Sequence, residues 1–350
     1  MGPRPMKRLV ILILVIACGV ALFTVIDIPS MTRALLDMPR DAAITLALLL
    51  FGSEILKGLR WTFFLHASHL SIRSVDGLTS YLGAQAATAL PGGSVLTARL
   101  AQEHGQVQMH QAAAGLVGQG IADIFALALV AACAILVTRQ QPIQMAIPAA
   151  GLVAAACAVA VVRSRRLAAW LVGLLGRFRL TRRFLPQEED FWAHAMVLMT
   201  PRTLLTGAVY SVVITGISAL VLLTLTGALT DRGLRPGEAL YAHGLSTVAR
   251  LIVPVPGGFG VSDGSLTGLL NYIGIGFGRA TFIALAYRSI GLLFRSVMGV
   301  LVLAVRYPYL LVGSRRVRLG RQAASHPGST GAPVEERTTA DVARSAAPPR

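Results

Sequence analysis

The sequence predicts an all-α polytopic membrane protein, and three observations carry that prediction. Of 350 residues, 54% are hydrophobic and only 14% charged, whereas a soluble domain is nearer a quarter charged. The mean hydropathy is +0.65. The apolar residues come in runs of about 20, the length that crosses a hydrocarbon core. The reading is a transmembrane domain over residues 1–312 and a disordered cytoplasmic tail over 313–350, where Arg, Ala, Ser, Gly and Pro follow one another without periodicity.

Arg4, Lys7 and Arg8 precede the first run, 9–26, which is too long for the core of a cleaved signal and is expected to stay as a helix. Further full spans are expected near 43–65, 111–138, 143–162, 203–227 and 280–306, six in all. Two more apolar stretches, 77–109 and 239–278, are interrupted by Pro91-Gly92-Gly93 and by Pro254-Val255-Pro256-Gly257-Gly258. Proline removes a backbone donor and glycine loosens the chain, so neither stretch should form one continuous helix.

Arginine placement sets the orientation. The loop 163–183 holds seven arginines and no acid, and Arg315, Arg316, Arg318 and Arg321 open the tail. With the basic N-terminus, these regions are expected on the cytoplasmic side, which puts both termini there. The segments 27–41 and 228–237 are nearly balanced in charge and suit the outside. Six crossings satisfy this plan only if each interrupted stretch is a re-entrant hairpin, one from each side. That is the pattern of inverted repeats. A weak internal echo fits it: Asp123 lies 32 residues after Pro91, and Arg288 lies 32 residues after Pro256. Chance would produce the same echo.

The formal net charge is +16. Because the excess sits in short loops and the tail without interleaved aromatics, it points to anionic lipid and away from nucleic acid. Residues 166–180 read either as an interfacial helix or as a plain connector. Cys18, Cys133 and Cys157 show no metal spacing and read as packing residues. The histidines form no metal motif, and no nucleotide or nucleophile signature is present. No cofactor and no metal are expected.

The candidate site follows from the breaks and the buried charges. A hairpin broken at mid-depth leaves backbone amides and a positive helix end free for an anionic group. This nominates Pro91, Gly92, Gly93 and Ser94, with Pro256, Gly257 and Gly258 at the second break. Close helix packing is the other reading of the glycines. Charges inside apolar runs need a partner or a wet cavity. Glu54 and Lys57, three apart, are expected to satisfy each other. Asp123 is expected to pair with Arg288, leaving Arg295 for a lipid phosphate.

Three sequence blocks carry a family resemblance: Lys57-Gly58-Leu59-Arg60-Trp61, Leu90-Pro91-Gly92-Gly93-Ser94 with Ala98-Arg99, and Pro254-Val255-Pro256-Gly257-Gly258-Phe259-Gly260-Val261 with Asp263 and then Arg288. Together they resemble the transmembrane region of lysylphosphatidylglycerol synthases, the flippase-like integral membrane proteins, over roughly residues 5–315. The chain departs from the family pattern at Val95-Leu96, where a Gly-Glu pair is common, at Gly120, where an arginine is common, and at Asp263, in place of a glutamate. The resemblance adds Arg99, Gly260 and Asp263 to the candidate site. It implies a lipid-translocating protein of a bacterial plasma membrane whose partners are anionic phospholipids. The synthases also carry an acyltransferase domain; only about 40 residues follow the last span here, below the size of a folded domain, so that activity is not expected. Two other readings stay open. One is a membrane enzyme, for which Asp263, Glu238 and Glu103 are the only candidate acids. The other is a scaffold for a separately encoded lipid-modifying enzyme. The lipid and the oligomeric state are not legible.

Overall fold

The computed structural model describes residues 33, 36–87, 93–104, 107–138, 145–164, 166–167, 170, 189–252 and 260–308. The first expected span, most of the arginine-rich loop and the tail lie outside the described residues. Among those described there are ten α-helices and no strand: α1 Arg40–Ala67, α2 Ser74–Ala84, α3 Gly93–His104, α4 Met109–Thr138, α5 Ala146–Arg163, α6 Glu189–Leu198, α7 Pro201–Leu229, α8 Pro236–Ile252, α9 Val261–Tyr272 and α10 Phe277–Arg306. They fall in one compact unit.

Local chemistry sets the helix ends. Asp41 in the first turn of α1 complements the positive end of its dipole. At the other end, Ser68 Oγ donates to Phe64 O at 2.9 Å and His69 adopts φ 59°, which turns the chain out of the helix. Pro201 opens α7 at a position where its missing N–H costs nothing, and Thr200 Oγ1 accepts from Thr203 N at 3.4 Å. Gly274, at φ 103°, makes the left-handed turn between α9 and α10, a conformation a side chain would strain.

Four helices are long and apolar enough to cross a membrane: Arg40–Ala67, Gln111–Val137, Pro201–Leu229 and Phe277–Arg306. They coincide with the expected spans near 43–65, 111–138, 203–227 and 280–306. The expected span at 143–162 is α5, whose apolar stretch Pro148–Arg163 is shorter. Their outward faces are greasy. On α10, Leu293, Val297, Leu301 and Val305 recur every four residues and are all exposed, the stripe expected where a helix meets hydrocarbon. Cys133 and Cys157 are exposed as well. They are therefore not the packing residues expected from sequence; a thiol is a small apolar group and needs no protein neighbour against a non-aqueous surface.

Each Pro-Gly-Gly break falls between two short helices. Pro91 and Gly92 separate α2, of 11 residues, from α3, of 12. Residues 253–259 separate α8, of 17 residues, from α9, of 12. The break residues themselves, including Pro256, Gly257 and Gly258, are outside the described set. Helices of this size rise only about 17–26 Å, less than the ~30 Å of a hydrocarbon core. The partners in each pair pack on one another.

The order of elements repeats. A long helix, two short ones and a long one run from α1 to α4 and again from α7 to α10. The packing is reciprocal: α2 lies on α10, α8 lies on α4, and α1 and α7 lie on each other. Two details lock α2 to α10. Arg306 Nη2 donates to Asp76 Oδ1 at 2.8 Å. Gly299 meets the short 3₁₀ turn after α2 so closely that a Cβ there would collide with the backbone of Gln85 and Ala86.

Gly299→Leu should therefore destabilise the protein by about 1–3 kcal/mol, the usual range for overpacking. Gly216→Ala, where nothing lies within 4 Å of the added carbon, should be neutral or slightly stabilising. Thermal unfolding in detergent, with membrane yield, compares the two; equal midpoints would show that the crossing is looser than described.

Candidate functional site

Four long helices and two short ones line a cavity of about 350 Å³: α1, α4, α7 and α10 with α8 and α9. The periodicity of α1 explains its share: Ser53, Glu54, Lys57 and Arg60 recur at three- and four-residue steps and so line one face. On α10, Arg288, Gly291 and Arg295 do the same. The described residues of α2 and α3 contribute nothing to the wall.

A charge at this depth is costly unless it is paired and hydrogen-bonded, and the cavity shows how the cost is met. Lys57 Nζ lies 2.5 Å from Glu54 Oε1, within one helix. Arg60, only 5% exposed, reaches across the bundle to Asp123 on α4. Its guanidinium binds both carboxylate oxygens, with Nη2 donating to Oδ2 at 3.1 Å. Arg60 Nη1 also donates to Ser211 Oγ on α7 at 2.5 Å, so this one side chain joins three helices. On the other wall, Arg288 Nη1 donates to Asp263 Oδ2 at 2.7 Å. Tyr287 Oη lies 3.2 Å from His243 Nδ1 and 3.2 Å from Ser218 O, which bridges α10 to α8 and α7.

Three polar groups are left over. Glu54 Oε2 and Arg60 Nε are buried without a partner among the described residues. Arg295 Nε donates to Gly291 O at 2.9 Å, but no described carboxylate pairs with Arg295. It faces the cavity as a cation without a counter-charge in the described wall.

Several expectations change here. Asp123 and Arg288 are not partners: Asp123 is held by Arg60, and Arg288 by Asp263. The matched spacing after each break sets each residue on the long helix that follows, α4 or α10, and equal offsets do not bring two residues into contact. The helix-end amide described at the second break is also engaged, since Gly260, at φ 87°, donates its N–H to Asp263 Oδ2 at 3.2 Å. The positive end of α9 thus carries a carboxylate of its own chain. Arg99 is largely exposed, lies 4.0 Å from Glu103 and is not in the cavity wall. Gly93 begins α3; the side chain of Ser94, like residues Pro91 and Gly92, is outside the described set. Of the expected residues, Asp123, Asp263, Arg288 and Arg295 meet in the cavity.

The residue missed by sequence reasoning is Arg60. It interrupts an apolar run six positions after Glu54, the same signal that marked Glu54 and Lys57. The hydroxyl lining of α7 and α8 was missed too; Thr215, Ser218, Ser246 and Thr247 are individually ordinary residues in membrane helices.

A bundle of long apolar helices around an ion-paired polar cavity defines a polytopic membrane protein with an intramembrane polar site. The model of the family described as lysylphosphatidylglycerol synthase TM region matches residues 9–299, and the chain belongs to that family. No curated protein matches the sequence.

The pairing makes a quantitative prediction. Asp123→Ala leaves the buried Arg60 uncompensated and should cost about 3 kcal/mol. The reversed pair, Arg60→Asp with Asp123→Arg, should recover part of the loss suffered by either reversed single. Arg288→Asp combined with Asp123→Arg should show no such recovery. Detergent melting midpoints decide it: strictly additive effects for the Arg60–Asp123 swap would refute the pair.

Proposed function

We propose that this protein is a lipid translocase: it carries the anionic head group of a phospholipid or lipid-linked molecule between leaflets while the acyl chains stay in hydrocarbon. The observation that carries this reading is the cavity itself, polar and ion-paired inside, bounded by helices whose outer faces are apolar. Arg295 supplies the anion contact, because a phosphate oxygen accepts readily from a guanidinium that no described carboxylate pairs with. The paired charges supply a hydrated path without leaving the wall strongly charged when no head group is bound. Membership in a family of lipid-synthase membrane regions supports lipid as the cargo.

The same reading places the α2–α3 and α8–α9 pairs as re-entrant hairpins of opposite orientation within six full spans. It puts the chain in a bacterial plasma membrane with both termini in the cytoplasm. The reciprocal packing of the two hairpins supports an inverted-repeat arrangement. The family description favours one alternative, an accessory role beside a separately encoded lipid-modifying enzyme; such a protein would move no lipid when purified alone.

Liposomes reconstituted with the pure protein and tail-labelled phospholipid test the proposal through dithionite access to the inner leaflet. Wild-type protein should expose inner-leaflet probe, and Arg295→Gln should slow anionic probes about tenfold, the loss of one charge-assisted hydrogen bond, with an unchanged melting midpoint. Lipid movement indistinguishable from protein-free vesicles would favour the accessory role. For topology, single cysteines near 170 should react only from the cytoplasmic side and those near 232 only from outside; labelling from one common side would rule out the six-span plan.

A further inference from the structure

Resting on the translocation reading, we infer that the cavity also binds a proton, at His243, and that this proton crosses the membrane together with the anionic cargo. Imidazole is the side chain whose ordinary titration falls between pH 5 and 8, and His243 is the histidine of the described cavity wall.

The hydrogen bonds around the ring assign its protons. Tyr287 Oη donates to Ser218 O at 3.2 Å. A phenol has one proton and a carbonyl oxygen can only accept, so that proton is spent on Ser218. Towards His243 Nδ1, also 3.2 Å away, the phenolic oxygen then offers a lone pair, and Nδ1 supplies the hydrogen. The other ring nitrogen, Nε2, is the one that gains or loses a proton. Its titration leaves the Nδ1–Tyr287 bond in place, so the ring changes charge without letting go of α10.

The surrounding charges decide what the proton responds to. Of the helices packed on α8, α4 brings Asp123 to the wall and α9 brings Asp263. Thr215 and Ser218 of α7, and Ser246 and Thr247 of α8 itself, donate to helix carbonyls and present lone pairs, which suit a cation. On α5, Cys157 is exposed and Arg163 ends the helix; neither lines the wall, nor does the exposed Cys133 of α4. Across the cavity stand Glu54, Lys57 and Arg60 of α1, with Arg288 and Arg295 of α10. The three carboxylates are held by Lys57, Arg60 and Arg288, which leaves Arg295 as the cation that no described carboxylate offsets. In the empty cavity an imidazolium adds another positive charge to that one, and like charges away from bulk water repel strongly. An anionic head group on Arg295 cancels the repulsion and draws a proton onto His243. Linkage makes the effect reciprocal: the proton tightens the anion by the same factor. One proton and one monoanion crossing together carry no net charge, so a pH difference drives them and a voltage does not.

The test uses the full chain and tail-labelled phosphatidylmethanol, a monoanionic phosphodiester whose own charge is constant over this pH range. Calorimetry in buffers of different ionisation enthalpy counts the protons taken up as the lipid binds in micelles. Binding should tighten about tenfold from about pH 8 to about pH 5.5, with about half a proton taken up per lipid near the midpoint, the most that a tenfold coupling gives. His243→Asn keeps an N–H for Tyr287 and removes the titration; it should bind without uptake and without pH dependence, at the wild-type melting midpoint. In liposomes, a gradient acidic outside should concentrate the probe in the inner leaflet, read by albumin extraction, whereas a membrane potential at equal pH should leave it even. Wild-type binding without proton uptake, or uptake that persists in His243→Asn, overturns the proton site. Proton-linked binding with no movement of the probe upholds the site and refutes translocation. Movement that ignores the pH gradient upholds translocation and refutes the coupling.

Discussion

Everything in the bundle depends on how it accommodates Arg60. A guanidinium that is almost wholly buried between apolar helices must find acceptors within the protein, and those within reach are Asp123 on α4 and Ser211 on α7. Satisfying them fixes the relative rotation of three long helices, because a turn of any one would withdraw its oxygen. That rotation in turn aims Glu54 and Lys57, on the same face of α1, into the cavity. Van der Waals packing of small and apolar side chains holds the helices together within lipid; the choice among their many similar rotations is made by the polar cluster.

The second wall solves the same problem by a different route. Asp263 is the first-turn acid of α9, accepts from the Gly260 amide and pairs with Arg288. One carboxylate thereby closes the helix end beside the chain break and anchors α10. Its pair is shielded evenly, with side chains 20% and 17% exposed, whereas the Arg60–Asp123 pair joins a buried arginine to an aspartate that is 39% exposed. Between the walls the contacts involve no carboxylate and no guanidinium: Tyr287 reaches His243 and the carbonyl of Ser218. Single hydrogen bonds of this kind exchange for water at a small net cost.

Much of the architecture was legible because bilayer physics writes long signals. Runs of apolar residues located α1, α4, α7 and α10, and the Pro-Gly-Gly clusters located two pairs of short helices. The site was legible only in part. Asp123, Asp263, Arg288 and Arg295 stand out as charges or motif residues, but their partners do not. Equal offsets from two prolines suggested Asp123 with Arg288, yet which residues face each other depends on how helices cross, a three-dimensional property with no footprint in spacing. Arg60 was hidden by its position near the end of an apolar run, where an arginine can equally belong to an aqueous border. The hydroxyls of α7 and α8 gain meaning only once their protons are seen to be engaged with the backbone.

The contact between Arg306 and Asp76 differs from the Arg60–Asp123 pair in which partner is exposed. Its arginine side chain is 47% exposed and its aspartate nearly buried, whereas Arg60 is buried and Asp123 is 39% exposed. Mobile counter-ions reach exposed charges and attenuate them over about 8–10 Å at ordinary ionic strength, but they do not penetrate a buried pair to the same extent. Dissolved salt therefore reaches the fastening of α2 to α10 through its arginine and the tie between α1 and α4 through its carboxylate. Each fastening keeps one shielded charge and offers one to the electrolyte, so raising the ionic strength weakens both and singles out neither.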